Sequence, residues 1–175
     1  MRLRCCAERF RMLIYLNGSI NAGKSTVGRL LAAHLPRTVH IEVDELRHFA
    51  DCLSLNEVCL YCLEDTVVLS KNWIKRGFNV VVSWPISEED HAHLCRELVD
   101  LGCPIHTFTL RPRLDIALAD RGERRLTPRE KARIQEQYRS MHIDPGIGTI
   151  IDNSDISPEE TVSAIISHLQ NQHKS

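Results

Sequence analysis

The chain has 175 residues, 43% of them hydrophobic, and a formal net charge of −1 at pH 7. This length and apolar content suit one globular domain and exclude a disordered chain. The near-neutral charge argues against a general nucleic-acid binder, and no apolar run reaches the length of a membrane span, so we expect neither as a partner.

Residues 1–11 form an arginine-rich start without the apolar segment of a signal peptide. We expect an N-terminal arm here, followed by one domain over residues 12–171. The chain has seven cysteines. Their odd number, spread over predicted helices and element ends, indicates reduced thiols and a cytoplasmic protein.

The segment 12–35, MLIYLNGSINAGKSTVGRLLAAHL, organises the chain. It opens with an apolar run typical of a strand, and its last ten residues have helical spacing. Between them GSINAGKS, residues 18–25, fits the phosphate-binding pattern G-x-x-x-x-G-K-[ST]. Glycines let backbone N–H groups approach phosphate, and the following helix adds the positive end of its dipole. The motif predicts nucleotide binding by Gly18, Asn21, Ala22, Gly23, Lys24, Ser25 and Thr26.

Two side chains of this motif have specific expected partners. Lys24 is predicted to reach the β- and γ-phosphates of ATP, and the Ser25 hydroxyl is predicted to bind Mg²⁺. The cofactors predicted from the sequence are therefore ATP and Mg²⁺.

Beyond the motif, apolar runs and helical periods alternate along the chain. Strands are predicted at 39–43, 78–82, 105–110 and 149–151, and helices at 45–51, 55–76, 88–101, 114–120, 128–142 and 158–170. This pattern predicts an α/β fold, a doubly wound and mainly parallel five-stranded sheet with helices on both faces. Ligands of such sheets bind beyond the carboxyl ends of the strands, which gathers 18–25, Asp44, 83–86 and Arg111 into one cleft.

Asp44 follows the second strand, where a second wall of the cleft is expected. Phosphoryl transfer to a hydroxyl needs a carboxylate that takes the acceptor's proton, and Asp44 is predicted to be that base. The alternative is a cap on the helix that begins at Glu45. Arg47, one turn later, is predicted to hold the acceptor, unless it only faces solvent. Glu42 is either a helper or an exposed residue.

The segment 121–128 contains a glycine and three arginines between two predicted helices. A lid of this kind can close over ATP, exclude water and bring positive charge to the transferring group. Which of Arg121, Arg124 and Arg125 would reach the phosphates stays open at this point, and an ordinary charged surface loop is the alternative. Arg129 and Arg133 are interpreted as structural.

One expected group is missing from the third strand. Many enzymes with this phosphate-binding motif carry an acid at the end of a later strand to hold the magnesium shell. Here the strand ends in Ser83, which is predicted to contact a magnesium-bound water or the substrate. Asp44 is therefore expected to serve both the metal shell and the acceptor.

The order of these segments resembles the P-loop small-molecule kinases. The segments that carry the resemblance are IYLNGSINAGKSTVGRLLAAHL, HIEVDELRHF, VVVSWPIS, LADRGERR and IDNSDISPEETV. This family includes shikimate and gluconate kinases, chloramphenicol phosphotransferase and the tunicamycin-resistance proteins. The sequence lacks the glycine-rich substrate loop expected of a shikimate kinase, so the acceptor stays open.

The resemblance implies a single P-loop domain with strand order 2-3-1-4-5. It implies that Asp44 activates the acceptor and that 121–128 is the lid. It also implies that Arg121 and Arg125 pack on adenine or touch phosphate, and that Asn153 lies near adenine.

Together these observations predict an ATP-dependent kinase that phosphorylates a hydroxyl of a small molecule, such as an antibiotic or another natural product. The alternatives are a nucleoside, nucleotide or polynucleotide 5′-hydroxyl kinase, and a nucleotide-dependent switch protein. A degenerate nucleotide-binding module is disfavoured by Lys24, Ser25 and Asp44. The sequence has no N-K-x-D motif of a guanine-specific switch.

Overall fold

Five short strands build one sheet in the computed structural model, which describes residues 11–50, 52–120, 124–140 and 147–172. The strand order is β2-β3-β1-β4-β5, and each of the four pairings is parallel, so the predicted topology is confirmed. The strands are β1 (Leu13–Gly18), β2 (Thr38–Glu42), β3 (Asn79–Ser83), β4 (Ile105–Leu110) and β5 (Thr149–Ile151).

Seven α-helices and two short 3₁₀ helices are found among the described residues. The 3₁₀ helices, Arg47–Ala50 and Val99–Leu101, extend α2 and α4. The α-helices are α1 (Lys24–His34), α2 (Val43–Leu46), α3 (Leu55–Lys75), α4 (Glu88–Leu98), α5 (Leu114–Leu118), α6 (Pro128–Arg139) and α7 (Pro158–Gln172).

The two central strands explain why the sheet is buried on both faces. Every residue of β1 and of β3 is buried, as is usual for parallel strands covered by helices. Alternate residues of β1 therefore face opposite layers. Leu13 and Tyr15 pack with α3 and α4, whereas Ile14 and Leu16 pack with α1 and α7.

Local capping signals set several helix starts. Ser87 accepts a hydrogen bond from the Asp90 backbone N–H and so caps α4. Thr127 and Glu130 form a reciprocal capping box at the start of α6, with Pro128 in the first turn. Residues that follow β3, such as Trp84, and residues that precede α6, such as Arg124, line the same cavity.

Two sequence expectations need correction. The helix expected to begin at Glu45 begins at Val43, so Asp44 lies in its first turn and not at its cap. The helical spacing of Val58, Tyr61 and Cys62 predicts that they share one face of α3, but Val58 and Cys62 are buried whereas Tyr61 is 54% exposed.

No helix within the described ranges is long and apolar enough to cross a membrane. The predicted arm up to residue 10, Arg121 and the turn at 144–146 lie outside the described residues.

Candidate active site

A cavity of about 1220 Å³ opens at the carboxyl ends of the strands. The phosphate-binding motif lies at its centre, because β1 is the middle strand of the sheet. Asp44 follows β2 at one edge of the sheet, and Asn153 follows β5 at the other edge. Since neighbouring strands lie about 4.8 Å apart, each edge strand is about 10 Å from β1. A nucleotide bound to the loop would therefore have one wall near its γ-phosphate and another near its base.

The loop requires two of its glycines. Gly18 has φ 141°, and a Cβ there would lie 2.5 Å from the Leu110 carbonyl oxygen. Gly23 has φ 95° and forms the N-cap of α1. Both backbones therefore favour glycine, which explains this part of the motif in physical terms.

Lys24 is enclosed by the loop. Its Nζ donates to the carbonyl oxygens of Gly18, at 3.0 Å, and Ser19, at 2.8 Å. Burial lowers the pKa of Lys24 from 10.5 to about 8, and the negative charges of Asp44 and Glu42 oppose this shift. A bound polyphosphate would bring further negative charge to this cation and favour its protonated form.

β3 ends in Ser83 and has no acidic residue at its end, whereas β2 ends in Glu42. Burial raises the pKa of the Glu42 carboxyl, and a hydrogen bond with Ser25 partly offsets that shift. Glu42 Oε2 is buried and has no hydrogen-bond partner within the described part of the chain, and it lies 4.0 Å from His40 Nε2. Glu42 thus places a carboxylate beside the Ser25 hydroxyl, where a magnesium ion bound to the motif would need one.

Ser83 has a different environment from the one expected. It is fully buried and does not line the cavity. Its hydroxyl donates to the Lys24 carbonyl oxygen at 3.3 Å and contacts His40 Nε2 at 2.8 Å. A Cβ at Gly28 would lie 2.4 Å from that imidazole nitrogen, so glycine permits this close packing of α1. The observed role of Ser83 is to support the first turn of α1.

Asp44 and Arg47 both line the cavity, as expected. The Asp44 carboxylate accepts a hydrogen bond from Arg47 Nη1 at 3.1 Å. Both side chains are about half exposed, at 55% and 41%, so this ion pair is accessible to a substrate that competes for either partner.

The described lid arginines occupy different positions. Arg124 lines the cavity and pairs with Glu130 at 3.2 Å. Arg125 pairs with Asp120 at 3.3 Å and does not line the cavity. Arg121 lies outside the described residues.

Asn153 lines the cavity at the β5 edge, together with Ile156 and Pro158. It is 6% exposed, and its Nδ2 donates to the Ala22 carbonyl oxygen at 2.9 Å. Apolar side chains beside a buried amide suit the base of a nucleotide. Thr26 also lines the cavity, whereas Arg111 does not.

Several cavity residues were not predicted as site residues. Trp84 and Pro85 follow β3, and the sequence placed them in the cleft without a role. Arg133 was interpreted as structural, but it lines the cavity, as does Asp90. The period of α6 could have indicated this, because Arg133 is one residue before the buried Ile134 and four before the buried Gln137.

No protein-family model matches the chain, and no curated protein sequence matches it. Solved structures do. The chain is similar to the tunicamycin resistance protein of Deinococcus radiodurans, with TM-score 0.62, 20% identity and coverage of 91% of this chain and 95% of that one. It is also similar to shikimate kinase from Aquifex aeolicus, with TM-score 0.63, 22% identity and coverage of 94% and 99%.

A third similar structure is the APS kinase of Mycobacterium tuberculosis, solved in complex with AMPPNP and APS. Its TM-score is 0.60 at 16% identity, with coverage of 91% of this chain and 98% of that one. The chain therefore has the fold shared by these P-loop kinases, over nearly its whole length.

Proposed function

We propose that this protein is an ATP-dependent kinase that transfers the γ-phosphoryl group to a hydroxyl of a small molecule. One observation carries the proposal: the phosphate-binding loop, Asp44 and Arg124 line a single cavity. Phosphoryl transfer needs a cradle for the phosphates, a base for the acceptor and positive charge at the transferring group, and these three residue sets can supply them.

The phosphates bind at the start of α1. Backbone N–H groups of the loop and the dipole of α1 favour anions there, and Lys24 adds a positive charge. The buried ammonium is protonated at neutral pH, because its pKa of about 8 lies above 7.

The side chains beside the loop fit a magnesium ion. Ser25 and Glu42 would hold it, since hydroxyl and carboxylate oxygens are ligands that Mg²⁺ prefers and Glu42 has a buried oxygen that makes no hydrogen bond among the described residues. When bound, such an ion neutralises charge that develops on the phosphate oxygens.

The acceptor enters on the β2 side. Asp44 takes the proton of the attacking hydroxyl, which forms the new O–P bond as the bond to ADP breaks. Arg47 donates a hydrogen bond to Asp44 and so orients its carboxylate. Its remaining N–H groups can donate to the acceptor. Arg124 approaches from the opposite wall and stabilises the charge of the transferring group.

We further propose that the acceptor is an antibiotic or another hydroxylated natural product. The cavity volume of about 1220 Å³ accommodates a nucleotide together with a second molecule. Trp84 adds an aromatic wall on this side. The likeness to a tunicamycin resistance protein supports the same class of acceptor.

A screen of hydroxylated metabolites, antibiotics, nucleosides and 5′-hydroxyl oligonucleotides with ATP and Mg²⁺ tests the proposal. Mass gain of one phosphate on a small compound is expected, and it should disappear in Lys24→Met, which keeps the side-chain length without the charge. Transfer to the oligonucleotide alone would establish the polynucleotide alternative. Slow ATP hydrolysis that no compound stimulates would favour a switch protein.

A further inference from the structure

Three consecutive residues of the phosphate-binding loop are each bonded to a different distant element. The Ile20 N–H donates to Gln137 of α6, Asn21 donates to the end of α5, and the Ala22 carbonyl accepts from Asn153 after β5. These positions are the variable ones of the motif, which the phosphate-binding pattern itself does not restrict.

Asn21 makes two of these bonds. Its Nδ2 donates to the carbonyl oxygens of Ala117 and Ala119, both at 2.9 Å. An amide nitrogen has two hydrogens, so both donors of this side chain are used by α5 and the residue after it. Asn21 also has φ 64°, a conformation that asparagine tolerates better than most residues.

Gln137 connects α6 to the phosphate-binding loop. It is 7% exposed, and its Oε1 accepts the Ile20 N–H at 3.0 Å. The Ile20 side chain packs against a small buried cluster formed by Ala117, Leu126 and Ile134. The tip of the loop is therefore part of the small core of α5 and α6.

These two helices form the wall that faces the loop across the cavity, and we call residues 114–120 and 124–139 the α5–α6 wall. Arg124, Glu130 and Arg133 of this wall line the cavity. At the N-terminal end of α5, Arg113 makes a bidentate ion pair with Asp155, with distances of 2.6 and 3.0 Å.

We propose that Asn21 is a positioning residue, which sets the α5–α6 wall and hence Arg124 at a defined distance from the phosphates, and that it does not bind the nucleotide through its side chain. The inference rests on the proposed kinase reaction for the role of Arg124. The motif alone predicts that Asn21 binds the nucleotide, and the inference assigns it a different function.

Asn21→Gly is the decisive variant, because glycine adopts the positive φ readily while the side chain with its two donors is removed. The rate of phosphoryl transfer is expected to fall about ten- to a hundredfold, since a small misplacement of a charged group is costly in the transition state. ADP affinity, measured by calorimetry, is expected to stay within about threefold, since backbone N–H groups and Lys24 provide the phosphate contacts. A loss of ADP affinity as large as the loss of rate would overturn the proposal.

A double-mutant cycle that combines Asn21→Gly with Arg124→Ala tests whether Asn21 affects the transfer rate through Arg124. If Asn21 acts through Arg124, the double variant should be about as slow as Arg124→Ala alone. Effects that multiply would contradict the inference.

Two further measurements do not need an acceptor. Trypsin is expected to cleave after Arg124 or Arg125 about fivefold faster in Asn21→Gly, since the wall loses an attachment. Asn79→Ala is the matched control, because Asn79 Nδ2 also donates to a carbonyl, that of Pro36 at 3.0 Å, but at the opposite end of the sheet. It should lower stability without changing cleavage at these arginines or the ADP affinity.

These experiments distinguish the proposed kinase activity from the proposed positioning role of Asn21. If no compound accepts phosphate from the wild-type protein, the kinase proposal fails, and faster cleavage with unchanged ADP binding would still support the positioning role of Asn21. If transfer occurs but Asn21→Gly changes neither cleavage nor rate, the kinase stands and the positioning role is wrong.

Discussion

The phosphate-binding loop and the α5–α6 wall face each other across one cavity, but the protein holds them in different ways. The loop leaves a fully buried strand that lies between two large hydrophobic clusters. The wall has a separate cluster of three buried residues, with Ile20, Leu118 and Tyr138 packed against it. The strand that carries the loop is therefore part of the main core, whereas the wall has its own small core and is joined to the tip of the loop through a few contacts.

This difference suits phosphoryl transfer. In the proposed reaction Lys24 and Asp44 must be in place before ATP arrives, and both follow strands of the sheet. Arg124, which would act only after binding, is carried by an element with little buried area. Small cores open at lower free-energy cost than large ones, and mobile elements over active sites are drawn from such regions.

The largest expected effect lies on the sheet side. Asp44→Asn removes the proposed base and keeps the shape of the side chain, so the transfer rate should fall by about 10²- to 10⁴-fold. ADP affinity should change little, and initial rates together with ADP calorimetry measure both. Unchanged transfer in Asp44→Asn would assign the base to another residue.

On the wall side the expected effect is smaller and should differ between two neighbouring arginines. Arg124→Ala should slow transfer about ten- to a hundredfold, because Arg124 lines the cavity. Arg125→Ala should have almost no effect, because Arg125 pairs with Asp120 away from the cavity. The two variants lose the same charge, so each controls for the other. If Arg125→Ala were the slower of the two, the described position of the wall would not be the catalytic one.

The smallest expected effect is the pH dependence of nucleotide binding. Burial lowers the pKa of Lys24 to about 8, so the free protein loses this cation as the pH rises through that value. Calorimetry should show ADP affinity falling about tenfold between pH 7 and pH 9. Lys24→Met should remove this dependence, and a wild-type affinity that stays level over the same range would contradict it.

The stability of the ligand-free protein should change in the opposite direction. The folded-state pKa of about 8 lies below the ordinary value of 10.5, so between these values the unfolded chain binds more protons. Stability therefore rises as the pH rises through this window, because the folded protein no longer buries a charged ammonium. Thermal unfolding of the ligand-free protein measures this change.

The sequence by itself determined the fold and the centre of the site. Apolar strands at short intervals between amphipathic helices allow few topologies, and the family resemblance named the strand order 2-3-1-4-5 that the structure has. Gly18, Gly23 and Lys24 could be found from sequence alone because a local motif fixes their backbone geometry.

Only the tertiary structure decided which side chains meet at the cavity. Glu42 and Ser83 both end strands, yet one lies beside Ser25 and the other is buried under α1, a difference that depends on packing against His40 and Gly28. Ile20 meets Gln137 across an interval of 117 residues, and Asn21 meets Ala117 across an interval of 96. Such contacts depend on how distant elements pack, and no local pattern of residues encodes that.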